Sequence, residues 1–100
     1  MVLDLSKING IDDFKKKSDT DKDDKQRTLY YHGDKVFLVE NLHTLELRCD
    51  AKLSHHLMNE YESVMESRYF GRGGIEIVPA GQLTDDEIND LIRLSYDLSV

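Results

Sequence analysis

The stretch RTLYYHGDKVFLVENLHTLELRC, residues 27–49, decides the fold. Two β-rich runs, Arg27–His32 and Lys35–Glu40, flank Gly33 and Asp34, a pair suited to a tight turn between antiparallel strands. A third run, His43–Cys49, alternates: Leu45, Leu47 and Cys49 fall on one face, Thr44, Glu46 and Arg48 on the other. The expectation is a three-stranded antiparallel meander with one buried face. Val36, Phe37, Leu38 and Val39 supply apolar side chains to both faces of the middle strand, so the second face is partly apolar as well. Adjacent rings on a strand point opposite ways, which sends one of Tyr30 and Tyr31, and one of Tyr69 and Phe70, outward.

Downstream, Asp50 occupies an N-cap position, and Leu53, Leu57, Met58 and Tyr61 follow at helical spacing. SRYF (67–70) and IEIVP (75–79) read as a hairpin around Gly71, Gly73 and Gly74, with Arg72 exposed at its tip. A P-loop would need a lysine and a following helix; a strand-like run follows these glycines instead. The last helix is signalled by the capping box Thr84/Glu87, the staple Leu83/Ile88, and Asp85 and Asp86 in its first turn. Ile88, Leu91, Ile92 and Ser95 face one side of it, with Leu98 near the same stripe.

Upstream, residues 12–26 are almost purely polar with mixed charge, and read as a mobile loop or a frayed helix end. Leu3, Leu5, Ile8, Ile11 and Phe14 suit a short helix or a strand-like arm equally well. The chain therefore divides into an N-terminal arm and charged loop, 1–26, and an α+β domain, 27–100. That domain is a two-layer sandwich: an antiparallel sheet with its helices on one face.

One hundred residues with a net charge of −7 suit a single globular domain. No apolar run approaches the ~20 residues that span a bilayer, and MVLDLSKING has no apolar core of a secretory signal. A single cysteine favours a reducing compartment, most simply the cytoplasm. Residues 50–100 carry ten acids against four bases. That half would repel a polyanion, which counts against nucleic acid unless a local basic face survives.

No catalytic, metal or cofactor constellation stands out. Asp19, Asp21 and Asp23 imitate a calcium loop, but its glycine and glutamate positions hold Asp24 and Tyr30. His55 and His56 diverge on a helix and cannot form an i, i+4 metal pair. Cys49 shares the face of Leu45 and Leu47 and reads as a buried, inert thiol. Outward rings near Arg27, Arg68 and Arg72 could stack on bases or anchor a protein partner.

The segments YHGDKVFLV, LRCDAKLSHHLMNEY, GRGGIEI and GQLTDDEINDLIRLSYDL, spread from Tyr31 to Leu98, resemble the small bacterial MmcQ/YjbR-like family. The resemblance rests on Gly33, Lys35 and Phe37, on Cys49 and Asp50, and on Ser95, Tyr96 and Leu98. It implies an antiparallel sheet backed by helices, as in secretion chaperones, and a non-enzymatic DNA-binding protein whose hairpins act as wings. Lys35, Arg68 and Arg72 would then contact phosphates, with Tyr69 beside them. The alternative is an acidic protein-interaction module that engages a partner through the sheet face or an acidic helix. A more distant reading is a small-molecule or enzyme site built from His32, His43 and tyrosines across the sheet.

Overall fold

In a computed structural model, which describes residues 5–99, six strands form one antiparallel sheet in the order β1-β2-β3-β4-β6-β5. The strands are β1 (Lys15–Thr20), β2 (Gln26–His32), β3 (Lys35–Glu40), β4 (Leu45–Arg48), β5 (Val64–Ser67) and β6 (Gly71–Ile77). Helix α1 (Ala51–Glu60) follows β4 and packs over β5 and β6; helix α2 (Asp85–Leu98) closes the chain over β3 and β4. Both helices cover the same face, so the α+β two-layer architecture holds. Leu3 and Val100 lie outside the described residues. Among the described residues, no helix is long and apolar enough to cross a membrane.

The core forms because the strand and helix periods agree on one side. Leu45, Leu47, Ile75 and Ile77 meet Leu57 of α1 and Ile88, Leu91, Ile92 and Tyr96 of α2 in one cluster. Burial of each such side chain stabilises by roughly 1.5–3 kcal/mol. Both helix starts are built as their sequences indicate. The Asp50 carboxylate accepts the Leu53 N–H at 2.9 Å, and Thr84 and Glu87 complete a reciprocal capping box. Leu98, near the buried stripe of α2, is 53% exposed.

A bulge adjusts the middle of the sheet. Tyr30 pairs with Leu38 but Tyr31 with Val36, leaving Phe37 as an extra residue on β3. Phe37 and Leu38 therefore both enter the core under α2, while Val36 and Val39 face the other way. Ser95 of α2 secures this irregular point: its hydroxyl donates to the Phe37 carbonyl and accepts the Arg48 N–H.

Two expectations need correction. Lys15–Thr20, expected within a mobile loop or frayed helix end, is strand β1, paired with β2 from Lys15↔Tyr31 to Thr20↔Gln26. An edge strand can be held mainly by its backbone ladder, so its mostly exposed side chains give no apolar alternation. The residues before it join the same layer: Leu5, Ile8 and Ile11 are buried in the core, and Phe14 packs on Tyr30.

The second correction concerns the glycine hairpin. Ser67 pairs with Gly71, so the turn is Arg68-Tyr69-Phe70, and Gly71–Gly74 belong to β6. Gly71 closes that turn with φ +61°, which favours glycine. Arg72 therefore lies in a strand rather than at a tip. Tyr69 and Phe70 lie in the turn, with their rings T-shaped at 4.9 Å instead of on opposite faces of a strand.

Candidate functional site

The sheet face without helices is the candidate site. Side-chain alternation places Glu46 and Arg48 of β4 and Glu76 of β6 there, opposite the core positions Leu45, Leu47, Ile75 and Ile77. Pairing continues the face across Val39 and Val36, then Leu29, Tyr31 and Arg27, to Lys15, Lys17 and Asp19 on the edge strand.

The turn 68–70 folds back over this face instead of projecting from the sheet. Phe70 packs on a small cluster of Leu29, Val36 and Val39, with Tyr31 alongside. Gly74 makes room for it: a Cβ there would meet the Phe70 Cβ at 2.7 Å and collide with the Leu47 carbonyl. The two glutamates hold the turn down. Glu46 Oε1 accepts the Ser67 hydroxyl at 2.9 Å and the Tyr69 N–H at 2.8 Å, while its Oε2 accepts from Asn41. Glu76 accepts two bonds from the Arg68 guanidinium, at 3.0 and 2.9 Å, and one from the Thr44 hydroxyl. Burial alone would push the Glu76 carboxyl up, but the bonds from Arg68 and Thr44 outweigh it and hold it below the usual range.

Three cations stand over three rings on this face. Lys17 lies 5.9 Å from the Tyr31 ring centre, Arg27 5.2 Å from Tyr69, and Arg48 5.0 Å from Phe70. Arg27 also pairs with Asp19 at 2.9 Å, and this bond holds the Asp19 carboxyl below its ordinary value. Beside Tyr69 opens a cleft of about 590 Å³, bordered by Arg27, Arg68, Asn41, Glu46 and the β1–β2 turn. The acids that imitate a calcium loop build that turn: Asp21 Oδ1 accepts the N–H groups of Asp23 and Lys25, and Asp24 takes φ +62°.

The structure separates the residues singled out in the sequence. Arg68 and Tyr69 meet Arg27 at the cleft. Lys35 begins β3 and Arg72 sits near the start of β6, so both lie at the end of the sheet where β4 finishes with Arg48. Both are exposed. His32 stacks on Tyr96 at 3.7 Å, with its Nδ1 2.9 Å from the Tyr96 carbonyl, while His43 lies beyond the far end of β3. They share no site. His55 and His56 are exposed on α1, and Cys49 is buried, which pushes its thiol up. Sequence reasoning missed Lys17, Arg48, Glu46 and Glu76 as members of the face. Strand alternation already put Arg48 and Glu46 together, whereas Lys17 needed knowledge of β1.

The charge is divided between the two sides. Helix α2 carries Asp85, Asp86, Glu87, Asp90 and Asp97 against Arg93, a net −4. The strands and turn 68–70 of the helix-free face carry Lys15, Lys17, Arg27, Arg48 and Arg68 against Asp19, Glu46 and Glu76, a net +2, and the β1–β2 turn at the cleft adds Asp21 and Asp23 against Lys22, which brings it to +1. Compared with protein-family models, curated proteins and solved structures, the chain matches none of them.

Proposed function

We propose that the helix-free face of the sheet binds nucleic acid, with single strands preferred over duplex. The observation that carries this reading is the set of three cation–ring pairs, Lys17/Tyr31, Arg27/Tyr69 and Arg48/Phe70, gathered on one open face. Exposed rings and guanidinium planes stack on unpaired bases, and neighbouring cations neutralise the backbone. Within the described residues Arg27 and Arg68 are matched by carboxylates, but Lys15, Lys17, Lys35, Arg48 and Arg72 make no ion pair. Those five are the phosphate contacts, so Lys35 and Arg72 keep that role at the rim while Arg68 fixes the turn. The excess acid lies on α2, across the sheet from this surface, and so opposes a bound strand less than the net charge of −7 implies. The resemblance to the MmcQ/YjbR-like family also implies DNA as the ligand, but through hairpin wings rather than through this face.

Fluorescence anisotropy with labelled oligothymidylate and with a mixed-sequence duplex, at low and near-physiological salt, tests the reading. The single strand should bind more tightly, lose affinity steeply with salt, and weaken about tenfold in Lys17→Ala/Arg48→Ala. Absence of binding to either nucleic acid at low salt overturns it.

A further inference from the structure

The opposite side of the molecule carries a cleft of its own. Helix α1 sits over β5 and β6 and α2 over β3 and β4, and between them opens a cleft of about 170 Å³. Its walls are Leu53 from α1 and Leu91, Leu94 and Leu98 from α2, with Ile75 and Cys49 beneath. Leu94 is 42% and Leu98 53% exposed, so apolar surface faces water at its mouth. For comparison, a dry apolar cavity of about 150 Å³ accepts benzene.

The rim supplies a sign of charge. Asp50 and Asp97 border the cleft, and α2 carries a net −4. Arg48 also borders it, but its guanidinium stands on the other face, where Nε donates to the Val36 carbonyl at 2.7 Å and the group lies over Phe70. One oxygen of Asp50 is occupied by the Leu53 N–H, which leaves Asp97 as the freer acceptor. We infer that this cleft binds a small amphiphilic amine: a ring-sized apolar body between the helices and an ammonium group at Asp97. An anionic counterpart would meet the field of α2.

The test is independent of nucleic-acid binding. The full chain is titrated with 2-phenylethylamine, 2-phenylethanol and phenylacetate, followed by amide chemical shifts. The amine should produce saturable shifts at Leu53, Leu91, Leu94 and Leu98 and bind at least about tenfold more tightly than phenylacetate. Asp97→Asn, an exposed substitution, should reduce the amine to the affinity of the alcohol, and Leu94→Ser should weaken all three. Equal affinities for the three probes, shifts elsewhere on the molecule, or no saturation up to about 10 mM amine overturn the assignment. Concentration-dependent dimerisation that buries the same residues without ligand also overturns it and assigns the cleft to a second copy of the chain.

Discussion

Glu46 and Glu76 stand directly opposite each other on β4 and β6, 2% and 4% exposed, on the face of the sheet that no helix covers. Like charges at facing positions destabilise a strand pair unless each carboxylate is satisfied separately. Glu46 takes its bonds from neutral donors and Glu76 from Arg68 and Thr44, so one acid holds the turn backbone and the other its guanidinium.

Acid should loosen that arrangement. A carboxyl held below its unfolded value adds stability above that value, and the contribution is lost as pH falls through the folded one. For Glu76 the loss begins below the ordinary 4.5. Urea midpoints should be flat near neutrality and fall as pH drops below that value. Glu76→Gln should lower the midpoint at pH 7 and reduce its dependence on acid. An unchanged midpoint in Glu76→Gln at pH 7 contradicts the role given to the Arg68 bond.

Gly74→Ala places a methyl group against the Phe70 side chain and the Leu47 carbonyl. Overpacking of this kind costs about 1–3 kcal/mol. Chemical denaturation should register that loss, and the Phe70 ring should leave the Leu29–Val36–Val39 cluster, as seen in its proton shifts. A neutral effect on both readouts would mean that the turn is not pinned as described.

Ser95→Ala removes one hydroxyl from two buried partnerships, leaving the Phe37 carbonyl and the Arg48 N–H without it. The expected cost is about 1–3 kcal/mol. Faster hydrogen exchange at Arg48 should accompany it, because that amide donates to the lost oxygen.

Thr84→Ala tests the cap of α2, with an expected loss of about 1 kcal/mol. Thr84→Asp should retain most of that stability, since a carboxylate can accept the Glu87 N–H that the Thr84 hydroxyl accepts at 3.2 Å. Equal losses in the two variants would remove the cap from the account.

Local signals were the legible part of this chain. Asp50, Thr84 and Glu87 act within one turn of their own helices, so their roles could be read from neighbours in sequence. The β2–β3–β4 meander was legible for the same reason, since alternation and short turns are local properties. β1 was not, because KKKSDT has no apolar period and joins the sheet through its backbone. The turn after β5 was displaced by three residues because its glycines do different work: Gly71 closes it, and Gly74 admits Phe70. Of the candidate site, Arg68 and Tyr69 were legible as outward residues of the hairpin. The burial of Glu46 was not, because it depends on a turn donated by a distant strand.

Six strands leave the sheet with two rims, and the rim at β1 presents Lys15, Lys16 and Lys17 in succession. An unpaired rim is a template on which another chain can add a strand, and adjacent lysines oppose that addition through mutual repulsion. The segment with the most exposed side chains of the sheet is thus the one that guards this rim. Lys15→Gln/Lys16→Gln/Lys17→Gln should fold with nearly unchanged stability yet form thioflavin-positive fibrils where the parent chain stays dispersed; clear solutions from both would show that the rim is guarded by something other than its charge.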